Sequence, residues 1–289
     1  MTNDTNRHAY DRRLALVIDY ICSHLHEELS LDHLSAVAGF SKFHFHRQFT
    51  AYAGITVAQF VKLTRLKRAA YQLAFEPTRL VIDIALDAGF GSPEAFSRSF
   101  KEAQGQTPSE FRRSPEWGHW AKDQGLPTST RSNSMNSEIV HFEETRVAVL
   151  EHRGSPETLM SSVARFIEWR RSCQDSPGAT SRTFGIVYDD PKAAKPEDFR
   201  FDICGELRRS LNANGAGIVE KVIPGGRCAV ARHLGSTDAI GETVHAMYAK
   251  WLPQSGEQLR DFPCFFHYIK RMPAVQEHEQ VTDVYLPLR

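Results

Sequence analysis

The sequence predicts two domains, an all-α N-terminal domain followed by an α+β C-terminal domain. Apolar residues recur at helical spacing up to about residue 113, whereas short alternating apolar runs appear between two helical patterns after residue 136. The intervening stretch is rich in Ser, Pro, Gly and Asn and lacks periodicity, which is typical of a linker. We therefore place the domains at 8–115 and 137–289 and the linker at 116–136.

The composition excludes several classes of protein. The 41% hydrophobic and 24% charged residues are typical of a soluble globular chain of this length, 289 residues. No run of about 18 apolar residues is present, and the polar N-terminus lacks the apolar core of a signal peptide. The five cysteines are scattered without a C-x-x-C motif, which favours reduced thiols over disulfides or zinc. We expect a cytoplasmic protein with no membrane partner, no metal and no cofactor.

A repeated phrase organises the first domain. The stretch "AGFSKFHFHRQFTAYAGITVAQF" (38–60) returns as "AGFGSPEAFSRSFKEAQGQTPSEF" (88–111), with one inserted residue. Gly39 and Gly89 each follow a helical apolar run, where a left-handed glycine ends a helix. Ser92-Pro93 predicts the start of the next helix. Each copy is therefore predicted to be a helix-turn-helix unit.

The second helix of each copy has one face free to bind. Phe45 with Phe49, and their equivalents Phe96 with Phe100, are four residues apart and point inward. The opposite faces each carry an Arg, which can hold guanine by two bonds, and neighbours that can read other base edges in a major groove. The alternative, two solvated faces of an ordinary bundle, fits one copy better than two. The residues on the free faces are Phe43, His46, Arg47 and Thr50 in the first copy, and Glu94, Ser97, Arg98 and Lys101 in the second.

A continuous helical pattern (56–75) joins the two copies. Twenty residues span about 30 Å, close to the spacing of about 34 Å between successive major grooves on one side of B-DNA. From residue 42 to 113 there are eleven Lys or Arg against six Asp or Glu, an excess of five positive charges. Basic residues here are candidates for phosphate contacts, which set the register on DNA. On the connecting helix they are Lys62, Arg65, Lys67 and Arg68, and Lys42 is a further candidate DNA contact.

These features resemble the AraC/XylS DNA-binding domain over about residues 8–115. The phrases that carry the resemblance are "LDHLSAVAGFSKFHFHRQF", the long middle helix and "IALDAGFGSPEAFSRSFKEAQGQTPSEFR". By resemblance, the base-reading positions are Phe43, His46 and Arg47 in the first unit, and Glu94, Ser97 and Arg98 in the second. His46 stands where Gln is more usual.

The second domain is also duplicated, with an offset of 81 residues. "VAVLEHRGSPETLMSSVARFIEWR" (147–170) returns as "CAVARHLGSTDAIGETVHAMYAKW" (228–251), and Asp202 returns as Asp283. Each unit is predicted to contain a strand, a helix and two further strands, since "FRFDICGEL" (199–207) alternates as a half-buried strand does. Two such units side by side would form a sheet with a crevice along an internal two-fold axis.

This part, about residues 137–289, resembles the GyrI-like effector-binding domain through the repeat, "YDDP" and the closing "VTDVYLPL". The resemblance implies a small amphipathic or aromatic ligand in the crevice. The departure from the family is His267, where relatives that bind cations carry Glu before the Tyr of "FFHYI". A neutral His does not offset a ligand's positive charge, which argues against a simple lipophilic cation. The predicted ligand-binding residues are Trp169, Tyr188, Glu206, Trp251, His267 and Tyr268.

The leading hypothesis is a DNA-binding transcription regulator, not an enzyme. It would bind two adjacent major grooves of double-stranded DNA as a monomer, sense a small effector and contact RNA polymerase. One alternative is that the second domain hydrolyses a reactive small molecule, with Glu206 and Tyr188 or Tyr268 as acid–base groups. Another is that this domain only docks a partner protein through an apolar patch. No catalytic motif such as G-x-S-x-G or H-E-x-x-H is present.

Overall fold

The computed structural model describes residues 2–117, 137–211 and 215–289, and side chains from residue 10 onward. These residues form two compact units. One is helical and contains residues 2–117 together with 272–279, and the other contains the remaining described residues. In the described part of the chain, no helix is both long and apolar enough to cross a membrane.

The helical unit consists of short helices arranged around one long helix. Its order confirms the predicted pair of helix-turn-helix units joined by a long helix. The helices are α1 (Thr2–Ser23), α2 (Leu31–Ala38), α3 (Lys42–Ala53), α4 (Val57–Phe75), α5 (Val81–Asp87), α6 (Pro93–Gln104) and α7 (Pro108–Arg113).

Local side-chain chemistry sets the helix ends. The hydroxyls of Ser30, Ser92 and Thr107 accept backbone N–H groups at the starts of α2, α6 and α7, which satisfies donors that a helix leaves free. Gly39 ends α2 with a left-handed φ of 64°, and Gly89 follows α5 with a φ of 75°. These two glycines form the tight turns of the two helix-turn-helix units.

The predicted linker begins inside the packed helical unit. Trp117 is buried, and its ring contacts those of Tyr71, Phe75 and Phe111 at centroid distances of 5.1, 5.9 and 5.0 Å. Residues 118–136 lie outside the described residues. Trp117 therefore belongs to the aromatic core of the helical unit, and its burial stabilises that core.

The second unit is a curled antiparallel sheet with helices on one face, which confirms the predicted α+β class. Helix α8 (Leu159–Ser172) belongs to the first repeat. In the second repeat, α9 (Ile240–Ala246) continues through the π-helical turn Met247–Trp251 into α10 (Leu252–Ser255). The strand order is β1-β6-β8-β7-β3-β4-β2-β5. The strands are β1 (Ser137–Phe142), β2 (Thr145–Arg153), β3 (Thr183–Val187), β4 (Arg200–Glu206), β5 (Val219–Ile223), β6 (Gly226–Leu234), β7 (Cys264–Lys270) and β8 (Val281–Pro287).

Each repeat contains one strand more than the sequence predicted. Strand β1 precedes the first repeat but pairs with β6 of the second, whereas β5 precedes the second repeat and pairs with β2 of the first. The two repeats therefore exchange their leading strands. The partner of each leading strand lies in the other repeat, so the tertiary fold sets this pairing.

Alternation along the strands gives the sheet two apolar faces. The face under the helices includes Phe201, Ile203 and Phe266, packed with Phe166 of α8 and Met247. The opposite face, which we call the concave face, has its apolar centre at Phe142, Phe184, Ile186, Cys204 and Phe265. Adjacent strand residues point to opposite faces, so every residue of the sheet is assigned to one face or the other.

Candidate nucleic-acid interface and effector face

The first helix-turn-helix unit holds α3 through two buried aromatic rings. Phe45 and Phe49 are fully buried, and their centroids lie 5.9 Å apart. On the other side of α3, the Phe43 side chain is 86% exposed, and His46 and Arg47 are exposed as well. A Phe side chain as exposed as this contributes little to packing within the domain, so this face of α3 is open to a partner.

The second unit repeats this division of faces. Phe96 and Phe100 on α6 are fully buried, with centroids 5.5 Å apart. Glu94 and Arg98 are exposed, and Ser97 is half-buried beside them. The structure therefore brings the predicted base-reading residues of each unit onto one exposed helix face.

The remaining predicted DNA contacts have different surroundings. Thr50 donates its hydroxyl to the His46 carbonyl at 2.9 Å, and Lys101 is exposed near the end of α6. Lys42 forms an ion pair with Asp32. Exposed ion pairs are worth only about 0–1 kcal/mol, so a phosphate can replace the carboxylate. Arg68 is half-buried on α4.

Lys62 and Arg65 also lie on α4. Lys62 contacts Glu102 at 3.4 Å. The guanidinium of Arg65 is instead engaged within the domain, since its Nε donates to the Leu25 carbonyl at 2.8 Å and its Nη2 to the Glu27 carbonyl at 2.9 Å. Burial lowers the pKa of Arg65. These contacts use two of the five N–H donors of Arg65, and the phosphate contact predicted for this residue stays a prediction.

The concave face of the sheet carries charged and aromatic side chains at its rim. The Arg182 guanidinium donates to Glu206 at 2.7 Å, and the backbone N–H of Arg182 donates to the same carboxylate. Arg232 makes two bonds to Asp283, of 2.8 and 2.9 Å. His267 lies between these pairs and stacks on Phe184 with ring centroids 4.9 Å apart.

A second charged group surrounds the buried carboxylate of Asp202. Asp202 accepts three hydrogen bonds. The donors are the Tyr188 hydroxyl at 2.9 Å, Arg153 Nη1 at 2.9 Å and Lys221 Nζ at 2.6 Å. Glu151 also pairs with Lys221 at 2.5 Å. Each charge named here has a partner of the opposite sign, so these groups present no excess charge of either sign to a ligand.

Comparison with known sequences identifies the second unit. Residues 135–289, more than half of the chain, match the sequence profile of the GyrI-like small-molecule-binding domain. The chain belongs to the GyrI-like family. Residues 34–114 match a helix-turn-helix domain profile, and the predicted resemblance to the AraC/XylS type is confirmed.

Individual relatives match one part of the chain or the other. The chain is 45% identical over 155 residues to the probable transcriptional regulator YgiV of Escherichia coli K12, covering 54% of this chain and 97% of YgiV. It is 42% identical over 94 residues to the right origin-binding protein of the same organism, covering 32% of each. The crystal structure of the EcmrR C-terminal domain is similar at 17% identity and a TM-score of 0.45, covering 54% of this chain and 99% of that one.

The GyrI-like sheet divides the predicted ligand-binding residues between its two faces. Tyr188, Glu206 and His267 lie on the concave face. Trp169, Trp251 and Tyr268 pack against the core under the helices. His267 and Tyr268 are neighbours in β7 and point to opposite sides, so the six residues cannot line one crevice on the sheet surface.

The pKa shifts of Glu206 and Tyr188 do not favour acid–base catalysis by this pair at neutral pH. The Arg182 hydrogen bond lowers the pKa of Glu206, although partial burial opposes this. Burial and the Asp202 hydrogen bond raise the pKa of Tyr188 to about 12. A general acid or base works best with a pKa near the working pH, and these two shifts move away from it. Burial first, and Arg182 second, lower the pKa of His267, which keeps its ring neutral at neutral pH.

Among the described residues, no group of three or more His, Cys, Asp and Glu is arranged to hold a metal ion. One interaction that the sequence did not reveal is the contact of Arg65 with Leu25 and Glu27, 40 and 38 residues earlier in the chain. No local sequence signal distinguishes Arg65 from its basic neighbours on α4.

Proposed function

We propose that this chain is a transcription regulator that binds specific DNA through both helix-turn-helix units. The observation that carries the proposal is the pair of helices, α3 and α6, that bury two Phe each and expose an Arg on the opposite face. The 19 residues of α4 span about 28 Å, which suits two successive major grooves. Because the two exposed faces carry different side chains, the DNA site should be asymmetric and a single chain should suffice to bind it.

Binding to a duplex selected in vitro from a random library tests this proposal. Arg47→Ala and Arg98→Ala should each weaken binding by about 1–3 kcal/mol, since each removes a candidate bidentate base contact. The matched control is Arg12→Ala, which removes an exposed Arg of α1 that lies outside both helix-turn-helix units. Fluorescence anisotropy measures all three affinities. Unchanged binding by both test variants would refute the assignment of α3 and α6.

The second part of the proposal is that the GyrI-like domain binds a small effector on its concave face. Supporting features are the aromatic centre of this face and the neutral His267 beside Phe184. Because the charged groups on its rim are already paired, we expect an effector without a net positive charge.

A thermal-shift screen of the full chain against neutral, anionic and cationic amphiphiles tests the effector proposal. Ligand at 100 times its dissociation constant should stabilise the folded state by about 2.7 kcal/mol. Hits among neutral or anionic compounds support the proposal, and hits confined to cations would contradict its charge assignment. No stabilisation by any class would favour the alternative of a domain that docks a partner protein.

Two further parts of the proposal concern the compartment in which the chain acts and the protein that it contacts there. We place the chain in the cytoplasm and expect it to act through contact with RNA polymerase. Transcription in vitro from a template containing the selected DNA site, with purified polymerase, tests this directly. A change in transcript yield that Arg47→Ala and Arg98→Ala abolish supports it, whereas equal yields with and without the chain contradict it.

A further inference from the structure

Arg65 lies where the two helix-turn-helix units approach the long helix α4. Its Nε and Nη2 bind carbonyls of residues 25 and 27, in the segment that leads into α2 of the first unit. Its Nη1 lies against Gly89, the turn glycine of the second unit, where an added Cβ would be only 2.6 Å away. One guanidinium therefore contacts both units.

The corresponding turn of the first unit has no such contact. Gly39 has the same left-handed conformation as Gly89, with φ of 64° and 75°, but an added Cβ at Gly39 would meet no atom within 4 Å. A left-handed turn therefore does not require close packing by itself. The approach of Arg65 to Gly89 is a specific feature of the second unit.

A cleft lies beside Arg65, between the two units and α4. Its volume is about 610 Å³, and residues of both units and of α4 line it, among them Leu29, His46, Val57, Val61 and Phe90. Side-chain packing therefore leaves this part of the boundary between the units open, and a polar bridge across the cleft can help to set their relative orientation.

We propose that Arg65 is a positioning residue that sets the orientation of the two recognition helices and thereby the spacing of the two DNA half-sites that the chain accepts. This inference rests on the proposed DNA-binding function. The planar guanidinium suits the role because its fork of donors can bind two carbonyls at once, whereas a lysine ammonium is a single point charge on a flexible stem. Helix α4 fixes the distance between the units, and Arg65 fixes the rotation about it.

The test measures spacing preference with the full chain. The probe is a duplex that the wild-type chain selects from a random library, with one or two base pairs then inserted between its two contacted blocks. Each inserted pair rotates the second block by roughly 35°, because one turn holds about 10–10.5 base pairs. We expect a single insertion to weaken wild-type binding at least tenfold, and to weaken binding by Arg65→Lys and Arg65→Met less than threefold. Arg12→Lys, at an exposed position of α1 outside both helix-turn-helix units, is the matched control and should keep the wild-type ratio.

Two further readouts separate positioning from other roles of Arg65. If Arg65 contacted a phosphate, Arg65→Met would lower the slope of log affinity against log salt by about 1 and leave the spacing preference unchanged. That result would overturn the proposal, as would a wild-type spacing ratio in both Arg65 variants. Circular dichroism melting confirms that each variant is folded, and Arg65→Lys keeps the charge. If the wild-type chain selects no duplex, the proposed function fails and this inference fails with it.

Discussion

The buried carboxylate of Asp202 should be one of the main determinants of stability in the GyrI-like domain. Its side chain has no solvent exposure and accepts hydrogen bonds from Tyr188, Arg153 and Lys221. The change Asp202→Asn keeps the shape of the side chain, removes its charge and leaves one acceptor oxygen. The cations would then face an amide, and one of the three donors would lose its best acceptor.

The expected cost follows from these contacts. A hydrogen bond to a charged group contributes about 1.5–3 kcal/mol. The sum of three such bonds is an upper bound on the stability lost, and Asp202→Asn stays below it because the amide oxygen still accepts hydrogen bonds. The side chains of Lys221 and Arg153 are 30% and 41% exposed and both keep Glu151 as a partner, which reduces the loss. We expect Asp202→Asn to lower the free energy of unfolding by about 2–4 kcal/mol, below the value for a fully buried pair that loses one member.

The repeat supplies a matched control, because Asp283 is the equivalent of Asp202 at an offset of 81. The Asp283 side chain is 10% exposed and accepts two bonds from a single cation, Arg232, which is 58% exposed, so Asp283→Asn should cost less, about 1–1.5 kcal/mol. Urea unfolding of the full chain measures both variants, and hydrogen exchange of peptides from β4 and β8 assigns the transition to this domain. Equal losses in the two variants, or a loss under 1 kcal/mol for Asp202→Asn, would refute the argument that burial makes the difference.

Three further predictions concern packing, capping and pH. Phe100→Ala should destabilise the helical unit by about 3–5 kcal/mol in urea unfolding, because the ring is fully buried; a loss under 1 kcal/mol would contradict this. Ser92→Ala should cost about 1 kcal/mol, since its hydroxyl caps α6 by accepting the Ala95 N–H, and an unchanged melting temperature would rule out that role. The pKa of His267 is lowered on folding, so the unfolded chain binds its proton more readily. The stability that the neutral His267 ring contributes is complete above the unfolded-state pKa of about 6.5. This contribution declines as the pH falls toward the lower pKa of the folded state. Melting temperatures from pH 7 to 5 should fall more steeply for the wild type than for His267→Asn, and parallel profiles would disprove this.

The sequence by itself determined the helical framework and its exposed faces. Caps such as Ser92 and turn glycines such as Gly89 act through bonds and torsions within a few residues, so their pattern is readable without the fold. Helical periodicity likewise separated buried Phe96 and Phe100 from exposed Arg98. The duplication at an offset of 81 residues was also visible, because it is a property of the chain itself.

The tertiary structure decided which residues act together. It assigned Arg65 to carbonyls some forty residues away, exchanged the leading strands between the two repeats and buried Asp202 beneath Tyr188. These outcomes depend on contacts between segments that are distant in the sequence. A local pattern predicts that a segment is a strand or a helix, but it does not predict which segment it pairs with. The two-residue period of a strand could have placed His267 and Tyr268 on opposite faces. Only the sheet order and the position of the helices decided which face each residue occupies, because burial of a whole sheet face is a property of the assembled domain.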